Sequence, residues 1–135
     1  MNVLVLNSTT KTLKAVLSGV VAAAQPIYTV HYQDAPGYIE ASTDGTLNST
    51  TPVTILSAPG SSVRRVVKEV TIYNNDTAAV ICTISLDNNG TDRKIKKVSI
   101  DPGSTYSLSE NAASSGTVDT FTTTVTAADT TTLTA

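Results

Sequence analysis

The sequence predicts an all-β chain: an antiparallel β-sandwich, jelly-roll or Ig-like, with an N-terminal β-rich arm or subdomain. Three observations carry this. Apolar residues alternate with period two over several short segments, as in strands with one buried face. Val and Thr are abundant while charged residues make up only 15%, a composition that suits a pleated sheet better than a helix. Turn-forming pairs such as Pro36-Gly37, Asp44-Gly45, Asn89-Gly90 and Pro102-Gly103 punctuate the chain. Seven to nine short strands result, at the spacing of roughly 8–12 residues expected of a sandwich.

Residues 1–7 (MNVLVLN) set Val3 and Val5 against Leu4 and Leu6, which predicts a short strand or pairing arm. Residues 11–17 place Leu13, Ala15 and Leu17 on one face of a strand. A helix over 10–24 competes, because Leu13, Val16, Leu17, Val20 and Val21 also fall at helical spacing. Gly19 and the β-branched content favour strands, and Pro26 stops either element. Residues 27–32 alternate Ile27, Thr29 and His31 with Tyr28, Val30 and Tyr32. The region 35–51 is turn-rich, with a short strand at 38–41, and 47–52 reads as a polar linker. A boundary near Asn48 therefore divides an assembly arm, 1–48, from a sandwich, 49–135.

The sandwich begins with a strand at 53–56 and a loop at 58–62. Residues 63–100 then read as a meander of three consecutive antiparallel strands. In the first, Val66, Lys68, Val70 and Ile72 share a face opposite Val67, Glu69, Thr71 and Tyr73. In the second, Val80, Cys82, Ile84 and Leu86 lie opposite Ile81, Thr83 and Ser85. Asn88-Asn89-Gly90 supplies the positive-φ residues of a primed hairpin turn, and Asn74-Asn75-Asp76 is assigned the same role. Asp101-Pro102-Gly103-Ser104 suits a type II turn, followed by a strand at 104–108. Segments 118–125 and 131–133 are expected to close the sandwich.

Little chemistry is visible. The formal charge of −2 does not call for a nucleic-acid backbone as partner. The run Arg93, Lys94, Lys96 and Lys97 reads as a solvated, edge-protecting strand. Cys82 stands alone, so no intrachain disulfide or thiolate metal site is expected and it reads as a small buried hydrophobe. His31 is the one histidine, with no cue to a nucleophile. Asp87, Asp92 and Asp101 are explained by turns without calcium. No basic n-region precedes an apolar stretch at the N-terminus, and the apolar run 16–24 is too short to span a bilayer, so no membrane partner is expected. These readings point to a non-enzyme without metal or cofactor. Arg64-Arg65 reads as an exposed strand entrance, or as interface charge for a carboxylate on a neighbouring subunit.

The segment SAPGSSVRRVVKEVTIYNNDTAAVICTISLDNNGTDRKIKKVSIDPGSTYSL resembles a pattern of small tailed-bacteriophage structural proteins. A short loop leads into a strand ending at IYNNDT, then a strand, an NGT hairpin, a strand carrying K-K-V and a PG turn. The preceding STTKTLKAVLSGVVAAAQPIYTVHYQD is similar to the N-terminal region of such proteins, so the likeness spans roughly residues 8–108. It implies a virion component, a head decoration (cement) protein on the outer surface of the capsid, made in the host cytoplasm. It further implies the major capsid protein as partner and a homotrimer; the alternative is a tail, fibre or baseplate module, structural or glycan-binding. No catalytic position carries over. Assembly contacts are then expected at Val3, Val5, Leu13, Val16 and Val20, which residues 1–32 cannot easily bury alone, and at Arg64 and Arg65. On that reading, a chain lacking residues 1–33 keeps a folded sandwich and loses particle binding.

Overall fold

A computed structural model describes residues 4–109. Nine strands follow in order: β1 (Leu4–Leu6), β2 (Lys11–Leu17), β3 (Ile27–Ala35), β4 (Ile39–Thr46), β5 (Val53–Leu56), β6 (Arg64–Tyr73), β7 (Val80–Asn88), β8 (Thr91–Ile100) and β9 (Thr105–Ser109). They form two antiparallel sheets packed face to face, a β-sandwich, with no helix among the described residues. One sheet runs β1-β6-β3-β4, with β9 also pairing β6 beyond the end of β1. The other runs β5-β2-β7-β8. The segments 118–125 and 131–133 expected to close the sandwich lie outside the described residues.

The expected arm is not separate. Residues before Asn48 supply β1, β3 and β4 to one sheet and β2 to the other, where β2 lies between β5 and β7. The physical reason is the core. Leu6, Leu13, Ala15, Leu17, Tyr28 and Val30 are buried against Ile55, Leu56, Val67, Val70, Ile72, Val80, Cys82 and Ile84. Neither group closes a core without the other. Residues 11–17 are strand, as alternation favoured, and the helical spacing over 10–24 is not realised.

The meander is also corrected. β7 and β8 are a hairpin whose two loop residues, Asn89 and Gly90, both have positive φ (53° and 91°), matching a primed turn. β6 and β7 lie in different sheets, however, and residues 74–79 carry the chain across the core between them. The fully buried Asn74 organises this crossing. Its Oδ1 accepts from the Asp76 N–H at 2.9 Å, an Asx turn, while its Nδ2 donates to the carbonyls of Ala78 (2.9 Å) and Ile100 (2.8 Å). The turn at 101–104 forms as expected, with Gly103 at φ 75° and Ser104 N–H donating to the Asp101 carbonyl.

Two further expectations shift for local reasons. In β6 the buried residues are Val67, Val70 and Ile72. Pairing with β3 runs Glu69 to His31 and then Val67 to Tyr32, so Lys68 is an extra bulged residue that changes the phase of the alternation. Asp44-Gly45 is not a turn but part of β4, where Gly45 faces Tyr28 on β3. A Cβ at Gly45 would lie 2.8 Å from Tyr28 Oη and 3.0 Å from its ring, so the missing side chain makes room for the tyrosine.

Candidate functional site

The predicted contact residues do not form one surface. Val3 lies outside the described residues. Val5 is half-buried opposite Val66, and Val16 is half-buried opposite Thr83. Leu13 is a core residue with no exposure. Val20, by contrast, is 81% exposed. The arginine pair splits. Arg64 is exposed, whereas β3–β6 register sets Arg65 opposite Asp34. The Arg65 guanidinium donates to both Asp34 carboxylate oxygens, at 2.8 and 3.0 Å, and to the Ser57 carbonyl at 2.9 Å. It also stacks 4.4 Å from the Tyr32 ring centroid. Donating to the Asp34 carboxylate raises its pKa further. Arg65 is therefore an internal tie between strands and not a charge offered to a neighbouring subunit.

The exposed Val20 sits on a loop with an unusual support. Residues 18–26 connect β2 to β3 across one end of the sandwich and include the apolar run Gly19-Val20-Val21-Ala22-Ala23-Ala24. Such a loop has many backbone N–H groups and few side chains to satisfy them. Asp76, buried in the β6–β7 crossing, supplies the acceptors. Its carboxylate takes the N–H groups of Ala22 (2.9 Å), Ala23 (2.7 Å), Ala24 (3.2 Å) and Thr77 (2.9 Å). These bonds, the one from Ala22 foremost, hold its pKa down at about 2 against the opposing effect of burial. Gln25 adds a two-way clasp: its Oε1 accepts the Ser49 N–H at 2.9 Å and its Nε2 donates to Ser49 Oγ at 2.9 Å. Val21 packs on the core. The result is a shaped tip with Val20, Ala22 and Ala23 facing outward. Sequence reasoning missed Asp76, Gln25 and Ser49, since Asp76 and Ser49 read as turn or linker residues and the partners lie far apart along the chain, Asp76 53 residues from Ala23 and Gln25 24 from Ser49.

Two open depressions lie among the described residues. One, of about 640 Å³, lies between Asn7, Ser61, Ser62, Arg64 and the 71% exposed Tyr38. The other, of about 490 Å³, lies on the outer face of the β3–β4–β6 sheet around His31. There, register sets Ser42, His31 and Glu69 side by side, the residue types of an acyl-transfer relay. Glu69 instead accepts the Ser107 hydroxyl at 2.6 Å, and no hydrogen bond joins His31 to either neighbour. Cys82 is buried, and desolvation pushes its thiol up to about 11, so it is not a thiolate at neutral pH. Asp87 lies opposite Asp92 across β7–β8, while Asp101 lies beyond the far end of β8, so these acids do not converge. Among the described residues no group of three or more His, Cys, Asp or Glu could hold a metal ion, and no helix is long and apolar enough to cross a membrane.

The fold and these surfaces define a small antiparallel β-sandwich with an ordered apolar tip at one end. No known protein family, curated protein or solved structure matches the chain.

Proposed function

We propose that the chain is a non-enzymatic structural protein of a tailed-phage virion: a capsid decoration (cement) protein that binds the major capsid protein on the outer surface of the head, as a homotrimer, and stabilises the shell. The observation that carries this reading is the preordered apolar tip. Val20 is 81% exposed on a loop fixed by a buried carboxylate. A loop already held in one conformation loses little entropy on docking, and its apolar side chains gain by leaving water. The resemblance over residues 8–108 supplies the virion context.

The test is binding of purified protein to heads that lack it. Val20→Asp removes an apolar contact worth about 1.5–3 kcal/mol, or about tenfold to a hundredfold in affinity. The substitution lies on the surface, so the melting temperature is expected to hold. Equal binding by the variant would reject the tip as the contact. A glycan-binding module of a tail or fibre is the second reading, favoured by the depression where Tyr38 stands beside Arg64. Tyr38 has φ 55°, a strained setting for a non-glycine residue, which holds an aromatic ring out in solvent. Glycan-array binding lost on Tyr38→Ala would support that reading over the first.

A further inference from the structure

We propose that copies of this chain associate head to tail, the β4 flank of one copy against the β8 flank of the next. β1, β5 and β9 are short edge elements of 3, 4 and 5 residues. β4 and β8 are long, 8 and 10 residues, and among the described residues each pairs on one side only. Long edge strands present rows of backbone N–H and C=O groups to any chain that fits, and proteins usually blunt them.

The two edges are treated oppositely. β8 carries Arg93, Lys94, Lys96 and Lys97 against Asp92, and its pairing with β7 breaks at a bulge where Ile95 is extra. β4 keeps unbroken register with β3 from Ile39 to Thr46, and contains no Pro, Lys or Arg. Its charges are Glu40 and Asp44, both exposed. One flank is acidic and the other basic. They are opposite flanks, because β4 lies against β5 while β8 lies against β9. Each also presents one isoleucine to solvent, Ile39 at 69% exposure and Ile95 at 39%.

Charge then selects the partner. A β8–β8 contact sets four cations against four, and β4–β4 brings carboxylates together, whereas β4–β8 joins unlike charge and two exposed isoleucines. Discrimination of this kind rests on the repulsion in the wrong pairs as much as on attraction in the right one. Because the two surfaces differ, the contact is heterologous, and it closes into a ring when the rotation per copy divides a full turn. This specifies the self-association within the reading above. It does not depend on particle binding, which a monomer could perform.

The test is sedimentation velocity of the full chain at about 0.02 M and about 0.5 M salt, a range over which surface charge is progressively screened. Concentration-dependent association, weaker at high salt, is expected for the wild type. Glu40→Lys/Asp44→Lys makes both flanks basic, and Lys94→Glu/Lys97→Glu turns the basic flank acidic. Each variant alone should associate at least tenfold more weakly, and an equimolar mixture should restore association. All four positions are exposed, so circular dichroism should show both variants folded. The mixture itself guards against loss of fold, since unfolded chains would not complement. A monomeric wild type, undiminished association of either variant, or folded variants that fail to complement would each overturn the proposal. Particle binding by a strictly monomeric chain would overturn the self-association and the homotrimer while leaving head binding standing.

Discussion

Asp76 shows at the residue scale how one carboxylate orders a loop whose run from Gly19 to Ala24 has no polar side chain of its own. Its four backbone donors stabilise the charged form, so its folded pKa of about 2 lies below the ordinary value of about 3.9. The contribution to stability is fully present above that ordinary value and is lost as pH falls through about 2. Asp76→Asn should therefore lower the denaturation midpoint at pH 7 and flatten the pH dependence of stability between about 4 and 2, as read by chemical denaturation across a pH series. Arg65 is the second residue whose role is internal. Replacing it with Lys keeps the charge but loses the two-pronged bond to Asp34, with an expected loss of about 1.5–3 kcal/mol. Leu13, Ala15 and Leu17 were legible as one strand face from alternation, but Leu13 was expected at an assembly contact and lies in the core. The role of Asp76 was not legible, because its partners are set by a crossing between sheets and not by spacing along the chain.

At the scale of elements, the same letters served two structures. Asn89-Gly90 closes a hairpin because two residues with positive φ join two strands of one sheet. Asn74-Asn75-Asp76 looks alike, but residues 74–79 are too long for a two-residue turn, and the Asn74 and Asp76 side chains turn inward to satisfy backbone groups. Connection length was the available signal. The bulge at Lys68 could not be read from β6, since it is a property of the pairing with β3. Gly45 was read as a turn glycine, whereas its value is the space it leaves for Tyr28. Gly45→Ala should cost about 1–3 kcal/mol through overpacking against Tyr28, and Tyr28→Phe in the same chain should recover part of it by removing the nearest atom. Urea denaturation of the two variants measures both.

At the scale of the molecule, the two halves of the chain are interleaved, and this changes what truncation does. Removing residues 1–33 takes away β1, β2 and most of β3, including Leu6, Leu13, Leu17 and Val30 from the core. The remainder should be unfolded, with no cooperative thermal transition, in place of the folded sandwich that the sequence suggested. Leu13→Ala alone should cost about 2–5 kcal/mol, since the site has no exposure. Sandwich class was legible because period-two alternation and turn spacing survive in a single sequence. Sheet membership was not, because every connection among the described residues except β3–β4 and β7–β8 changes sheet, and nothing local marks the change. The proposed decoration role is tested most directly by antibody-gold labelling of intact phage particles, viewed by electron microscopy. Label scattered over the head is expected, and label confined to the tail would overturn the decoration role.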